Sequence, residues 1–529
     1  MPQRPGVGTL LWVSLSLAAA AVSALYLAAR AFDVAFAPFA LIDWLARVAP
    51  GRSITLFIDA MVAALRSLSI TNLSSAAKTS EAAAGVVVTL VALTIVGSAI
   101  LQVSSQSRRT MTVAGTIVGV VAGSCAAVPI YAVGSTRGAW DATVTVLVFA
   151  GWGFIAGWSR DRIWATADAG RGPTSASERR RFVRALTGTC AAIVLGGLGA
   201  VLSTLRRPSA TASTGRLWSD THMLPNQGAR VTPVAGTRPE FTPLDDHYRI
   251  DINTLPPHID GASWRLDIRG LVKQPMKISL HELRQREARH QFITLSCISN
   301  PVAGSLIGTQ RWSGVPLMRV LDEVAPLPSA SHLLIRSADG FDEVVAIDLI
   351  RSDDRIMLAY DWDGVALEAA HGFPLRLYIP DHYGMKQPKW IQSIEATDHW
   401  QPGYWVRRGW DREARMKTTS VIDVVGTDMM NVSRGPGAIV PIGGIAHAGA
   451  RGIRSVEIRV DEGDWLSAEL RQPVSDTTWV IWRYDWPYRA GRHTFTVRAT
   501  DGIGNVQTAT LAPPHPDGAS GLHSQTVML

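Results

Sequence analysis

The chain is poor in cysteine, and the few it has are unevenly placed. Of three in 529 residues, Cys125 and Cys190 fall inside long apolar runs, and Cys297 is the single one after residue 203. That excludes an intramolecular disulfide and any CxxC-type centre from the C-terminal part of the chain. What stays open for Cys297 is an inert buried thiol, a nucleophile, or one thiolate ligand to a metal whose other ligands are not protein. Histidine is missing from the first 221 residues, all 13 lying at or after His222. Histidine pairs on facing helices are the usual way to hold haem in a membrane bundle, and no C-x-x-C-H occurs, so no haem is expected. A basic groove is lacking too. The net charge of +7 traces to arginines beside apolar segments (Arg108, Arg109, Arg160, Arg162, Arg171, Arg179, Arg180, Arg181, Arg184), a positive-inside pattern rather than a nucleic-acid surface.

Long apolar runs are what the chain has in plenty. Five are of membrane-spanning length, at about 7–29, 82–103, 112–134, 140–158 and 183–203. The first is long and is followed by further spans, so it reads as an anchor rather than a signal peptide. Residues 53–73 carry Asp59 and Arg66 and read as an interfacial amphipathic helix. The short Arg-rich loops 104–111 and 159–182 belong in the cytoplasm. With five spans the N-terminus is then inside and everything after residue 203 outside: a multi-pass cell-membrane protein with an extracytoplasmic C-terminal part. The run Arg179-Arg-Arg-Phe-Val-Arg184 matches the twin-arginine export pattern, which would carry an already folded, cofactor-loaded domain across.

Residues 204–244 are rich in Ser, Thr, Pro, Gly and Arg and read as a linker. From 245 to 418 short strand-like runs alternate with helical segments at about 279–288 and 316–325, which predicts one α+β domain. From 419 to 515 the pattern is purely strand-like. Val456-Glu-Ile-Arg-Val460 and Phe495-Thr-Val-Arg-Ala499 alternate apolar and polar residues, which suits an immunoglobulin-like β-sandwich. Residues 516–529 read as a polar, frayed tail. The fold class is therefore multi-domain: an N-terminal α-helical membrane bundle, an α+β domain and a C-terminal sandwich.

Cations stand at suggestive spacing downstream of the lone thiol. His371-Gly-Phe-Pro-Leu-Arg376 leads into an apolar strand, and Pro380-Asp-His-Tyr-Gly-Met-Lys386 and Lys389-Trp390 follow. A strand and Gly-containing turn with Arg and two Lys can hold a phosphate or another anion. A solvated surface is the alternative for such a charge cluster.

In combination these stretches resemble the sulfite oxidase family of molybdenum–molybdopterin enzymes. Leu295-Ser-Cys-Ile-Ser-Asn300, Arg311-Trp-Ser-Gly-Val-Pro-Leu317, Leu358-Ala-Tyr360, His371–Arg376 and Lys389-Trp390 carry the likeness. Gly449-Ala-Arg-Gly-Ile453, Val456–Arg459 and Arg498-Ala-Thr-Asp-Gly502 extend it into that family's dimerisation domain, over about residues 245–512. The resemblance implies that Cys297 is the single protein ligand of molybdenum, with two further sulfurs from a pterin. It implies that His371 and Arg376 contact cofactor and substrate, and that Lys389 grips the pterin with the backbone at Gln387 and Pro388. Tyr248 and Arg249 fall on the family's N-terminal cofactor-binding segment, and Lys386 stands where the turn often carries a cation.

Departures bear on substrate. Where sulfite oxidases place a sulfite-binding arginine this chain has Ile250 or Ile252; the family's tyrosine appears as Ile445, and the Arg pair after Cys-x-x-Asn is Pro301-Val302. The reaction implied is oxygen-atom transfer to or from a small polar or anionic oxo-substrate, with electrons exchanged with a separate carrier and a homodimer as the family's assembly. Sulfoxide or N-oxide reduction is the alternative enzyme reading, and a non-catalytic cofactor-binding scaffold the alternative outside catalysis. His382 and His399 read as structural or edge-of-site residues rather than as ligands.

Overall fold

The computed structural model describes residues 6–49, 73–103, 108–133, 138–168, 173–205, 216–429 and 437–529. The chain divides into two compact units: residues 1–212 with 251–255, and residues 213–250 with 256–529.

The first unit is helical: α1 (Val7–Phe32), α2 (Ala37–Val48), α3 (Leu73–Gln102), α4 (Arg108–Val133), α5 (Gly138–Asp168) and α6 (Pro173–Leu205). Among the described residues five helices are long and apolar enough to cross a membrane: Val7–Phe32, Lys78–Gln102, Met111–Val133, Gly138–Trp164 and Ser177–Val201. They coincide with the five apolar runs of the sequence. The amphipathic segment expected at 53–73 lies almost wholly outside the described residues. Helices α4 and α5 pack closely because glycines face each other: a Cβ on Gly119 or Gly123 would run into the backbone of Phe149 or Val146. Arg160 of α5, though buried, donates through Nε and Nη2 to the Val103 carbonyl at 3.0 and 2.7 Å, satisfying an otherwise orphaned acceptor just past the end of α3. The arginine run 179–184 lies within α6, and its Phe182 ring meets Trp158 edge-on at 5.3 Å.

Helix α2 was not expected from the sequence. It is 12 residues long and carries Asp43 and Arg47. Both are used within this unit by the strip 251–255. Asp43 Oδ1 accepts from the Thr254 N–H and hydroxyl at 2.7 Å each, and Arg47 donates to Asn253 Oδ1 at 2.8 Å. Lys78 of α3 donates to the Asp251 carbonyl at 2.9 Å.

The second unit opens with β1 (Arg265–Gly270), β2 (Met276–Ser279), α7 (Leu280–Arg284), β3 (Arg289–Ser296), β4 (Ile307–Pro316) and α8 (Leu317–Val324). Then come β5 (His332–Ser337), β6 (Asp342–Ala346), α9 (Ile347–Ser352), β7 (Met357–Trp362), β8 (Val365–Ala366), β9 (Arg376–Tyr378) and β10 (Ile391–Thr397). One sheet has the order β2-β1-β10-β5-β6, with β1 and β10 parallel; a second has β3-β4-β7-β8, with β9 added beside β7. A capping box starts α7: Ser279 Oγ accepts from Glu282 N at 3.1 Å, and Glu282 returns the bond to Ser279 N at 2.7 Å. Leu317, Val320, Leu321 and Val324 of α8 recur at helical spacing and bury against Leu266, Ile268, Ile335 and Ile394 of the first sheet. This is the α+β pattern expected, with the first helix shorter than 279–288.

The strands after residue 418 are β11 (Thr419–Val425), β12 (Ile439–His447), β13 (Ile453–Val460), β14 (Trp465–Ser467), β15 (Glu469–Leu470), β16 (Val480–Pro487), β17 (Arg492–Asp501) and β18 (His523–Met528). They form two four-stranded sheets, β11-β12-β16-β15 and β14-β13-β17-β18. The expected alternation holds. Val456, Ile458 and Val460 stand opposite Ala499, Val497 and Phe495, and these side chains share a core with Val440, Ile442 and Trp482 of the other sheet.

Two sequence expectations are corrected here. The final residues do not fray: β18 pairs with β17 from Arg492↔Met528 to Val497↔His523, and Leu529 exchanges two backbone hydrogen bonds with Gly491. Burial alternates along His523–Met528 although residue type does not, so a composition argument misses the strand. The described part of the presumed linker is also held in place. Asn226 is buried and donates to the Gln472 carbonyl at 2.7 Å, Arg471 pairs with Glu240 at 2.9 Å, and Thr242 N–H bonds the Thr309 carbonyl at 2.9 Å. Polar side chains, not periodic apolar ones, fasten this segment, so it has no periodicity to read.

Candidate cofactor site

Cys297 follows β3 directly. Antiparallel pairing with β4 carries Leu295 and Ile293 into the core, and the chain then turns. Cys297 N–H bonds the Leu306 carbonyl at 3.0 Å, Asn300 N–H bonds the Cys297 carbonyl at 3.1 Å, and Asn300 Oδ1 accepts from Leu306 N at 2.9 Å. The thiol is thereby fixed in a buried loop, with Sγ 3.0 Å from the Ser299 hydroxyl oxygen. Burial pushes the thiol pKa up; the Ser299 hydrogen bonds and the Lys389 charge act the other way, favouring thiolate.

Residues 247–249 supply the next wall. His247 is buried, its ring stacked on Tyr248 at 5.4 Å and set edge-on to Trp312 at 5.9 Å and His371 at 5.6 Å. Burial, and then the Arg376 charge, push its pKa down to about 3, so it is a neutral ring. Burial and the proximity of Cys297 push Tyr248 upward. Tyr248 also explains a glycine: a Cβ on Gly384 would lie 2.9 Å from its hydroxyl oxygen. Arg249 is half-buried, and its charge reaches His371.

His371 and Arg376 flank the turn into β9. The His371 ring lies 4.4 Å from that of Trp362, and burial together with the charges of His247, Lys389, Arg376 and Arg249 holds its pKa well below the ordinary value. Gly372, at φ +113°, lets the backbone pass beneath the side-chain stems of Arg376 and Lys389, where a Cβ would sit 3.2 Å from each. Arg376 is buried, donates through Nη1 to the His371 carbonyl at 3.1 Å and spreads its guanidinium over Trp312 at 4.7 Å. Burial lowers its pKa to about 10. Among the described residues no carboxylate pairs with it. Lys389 Nζ donates to the Ile250 and Ala370 carbonyls at 3.1 and 3.4 Å and lies 4.4 Å from the Trp390 ring centre.

The remaining turn residues are engaged by the fold. Lys386 Nζ is 2.6 Å from Glu343 Oε1, both buried. Gln387 Nε2 donates to the His382 carbonyl at 2.9 Å, leaving its buried Oε1 with no partner among the described residues, and the Pro388 carbonyl accepts from Leu377 N at 2.9 Å. His382 is buried against the Pro380 carbonyl, and His399 is exposed beside Asp398. Ile445 lies in an apolar cluster with Ile307, Val421, Trp479 and Ile481.

Sequence reasoning missed the aromatic box of His247, Trp312 and Trp362, and it missed Ser299. Trp312 stood in a quoted motif, but nothing in the sequence tells a packing tryptophan from one that lines a site. Three buried polar atoms of the box (His247 Nε2, Trp312 Nε1 and Trp362 Nε1) have no hydrogen-bond partner among the described residues. Buried polar groups in proteins are normally bonded, so such orphans call for a ligand. Beside them stand a buried guanidinium without a carboxylate and a softly ligating thiol. Among the described residues no three His, Cys, Asp or Glu side chains gather to hold a metal ion. A metal at Cys297 therefore needs further donors from a cofactor. A molybdenum–pterin, which brings its own sulfurs and an anionic phosphate, fits this set of groups.

Comparisons with known proteins agree. Residues 253–405 match the family described as oxidoreductase molybdopterin binding domain. Sulfite oxidase of Gallus gallus is 27% identical over 308 residues, covering 49% of this chain and 67% of that one. The "Putative protein-methionine-sulfoxide reductase subunit" of Azospira oryzae is 32% identical over 188 residues, covering 35% of this chain and 68% of that one. Among solved structures, sulfane dehydrogenase SoxCD from Paracoccus pantotrophus aligns over 62% of this chain and 96% of its own with 19% identity and a TM-score of 0.48. The matched domain holds both the loop-fixed thiol and the uncompensated guanidinium: the chain belongs to the sulfite oxidase family of molybdopterin-dependent oxidoreductases and uses a molybdenum–molybdopterin cofactor.

Proposed function

We propose that the protein carries out oxygen-atom transfer to or from a small polar or anionic substrate, with Cys297 the single protein ligand of molybdenum. The observation that carries this reading is that Tyr248 lies within electrostatic reach of both that buried thiol and Arg376, a buried cation lacking a carboxylate among the described residues. Molybdenum held by a pterin supplies two-electron oxygen-atom transfer coupled to one-electron steps. Arg376 and Lys389, with the turn at Lys386, Gln387 and Pro388, hold the anionic end of the cofactor. His371, Tyr248 and Arg249 line it, and the Trp312–Trp362 box excludes water. Because Lys386 already neutralises Glu343, its share is to keep the turn closed rather than to supply free charge. Neutral His247 and His371 are placed to hydrogen-bond cofactor or substrate without carrying charge.

The chain is anchored by its five apolar helices, with the catalytic unit on the extracytoplasmic face, reached by the arginine run at 179–184. Replacing Arg179 and Arg180 by Lys then leaves the C-terminal part unexported; normal export overturns that route. Electrons pass to or from a separate carrier, and the two C-terminal sheets serve as an Ig-like assembly domain of a homodimer.

The reductive direction is the second reading, favoured by the isoleucine (Ile250 or Ile252, by register) where sulfite oxidases carry arginine and by the name of the Azospira oryzae relative. One experiment decides between them: the full-length, detergent-solubilised protein is assayed for sulfite oxidation and for sulfoxide reduction with artificial electron carriers. Turnover of neither class would sink both readings and leave a cofactor-binding scaffold. Replacing Cys297 with Ala abolishes activity and removes the cysteine signature from the molybdenum spectrum; an unchanged spectrum overturns the ligand assignment.

A further inference from the structure

We infer that Ser299 sets the donor strength of Cys297 as a metal ligand, and through it the redox potential of the centre. This inference rests on the reading of Cys297 as the molybdenum ligand. The Ser299 oxygen lies 3.0 Å from Sγ, and this is the hydrogen bond that its half-buried side chain makes among the described residues. A thiol and a hydroxyl can each donate, but a metal-bound thiolate carries no proton, so in the loaded protein the hydroxyl is the donor. The geometry is imposed by the loop rather than by chance rotamers. Asn300 N–H bonds the Cys297 carbonyl, and Asn300 Oδ1 ties the same turn to Leu306, which places residue 299 over the sulfur of residue 297. The backbone at Ser299 and Ile298 and the charge of Lys389 also favour negative charge on that sulfur.

A hydrogen bond to a ligating sulfur withdraws electron density from it. The thiolate then gives less to the metal, the more oxidised states are less stabilised, and the potential rises. Cys297 is the single thiolate the protein would contribute, so this hydroxyl acts on the whole of the protein's sulfur donation. Ser299 is a positioning and tuning residue: it touches the ligand and not the substrate.

The test is a redox titration of the full-length holoprotein followed by Mo(V) electron paramagnetic resonance, together with the energy of the cysteine-sulfur-to-molybdenum charge-transfer band. Ser299→Ala and Ser299→Gly should retain molybdenum, shift both molybdenum potentials to more negative values and move the charge-transfer band to lower energy. Ser299→Thr, which keeps the hydroxyl, should restore both readouts. Both signals come from loaded molecules alone, so a partial loss of cofactor does not blur them. Potentials and band position equal to wild type in the Ala and Gly variants would overturn the inference. A Cys297→Ser variant separates that failure from failure of the ligand assignment: if its band and resonance match wild type, Cys297 is not the ligand.

Discussion

Two buried cations, one opening β9 and one in the turn that follows it, differ in one respect. Lys386 is 6% exposed and has Glu343 Oε1 at 2.6 Å. Arg376 is 7% exposed and has a carbonyl oxygen and the face of Trp312, with no carboxylate among the described residues. Burying a charge without a counter-charge is expensive, whereas a close ion pair offsets most of that penalty. The fold thus completes one cation by itself and leaves the other for something it must bind. Equal burial hides opposite roles: Lys386 is a structural member of the turn, and Arg376 is a socket.

Removing the head group from each side tests this contrast, and the larger stability effect falls on the closed pair. Lys386→Met strands Glu343, whose second oxygen already lacks a partner among the described residues, and should destabilise the protein by about 3–5 kcal/mol. Thermal unfolding would show it, and a double variant with Glu343→Gln should recover part of the loss. Arg376→Met should leave the cofactor-free protein, made in cells unable to synthesise molybdopterin, within about 1 kcal/mol of wild type. The same change should weaken cofactor retention by roughly 10–100-fold, read as pterin released on dilution. Equal destabilisation of the cofactor-free protein by the two changes would erase the distinction between pair and socket.

The smallest effect concerns pH. His247 is held near a pKa of about 3, and His371 also lies well below the ordinary 6.5. Both stay neutral in the folded protein while the unfolded chain takes up protons below pH 6.5, so stability is lost as pH falls through that value. His247 accounts for about 1.4 kcal/mol between pH 7.5 and 5.5, and His371 acts in the same direction. Unfolding of cofactor-free protein at pH 7.5 and 5.5 should show the fall, and His371→Gln should remove its share. A bound anion favours the protonated ring, so the loaded protein should lose less; an identical fall in both forms would argue against an anion at this site.

What the sequence revealed follows from how local each signal is. The five spans were legible because length and apolarity are properties of a continuous run. Val456 and Ile458 were legible because alternation marks a half-buried strand wherever its partner lies. The isolation of Cys297 could be read by counting, and the cations at 371–389 by family likeness. Helix α2 was not legible, because its Asp43 and Arg47 make it look unsuited to an apolar unit, and what they bind lies some two hundred residues along the chain. The same holds for Lys386, whose meaning depends on Glu343, and for the segment at 216–244, fastened by Asn226, Glu240 and Thr242 to residues much later in the chain.

The strip at 251–255 has a practical consequence. Ile250 gives its carbonyl to Lys389 of the cofactor site, and the very next residue gives its carbonyl to Lys78 of α3. A fragment trimmed to remove the helices would keep Asp251, Asn253 and Thr254 but lose Lys78, Arg47 and Asp43. It would display a loose pentapeptide one residue from the wall of the site, and limited proteolysis should find that peptide first. Trimming the protein for solubility would therefore strip that peptide of the partners it has within the helical unit.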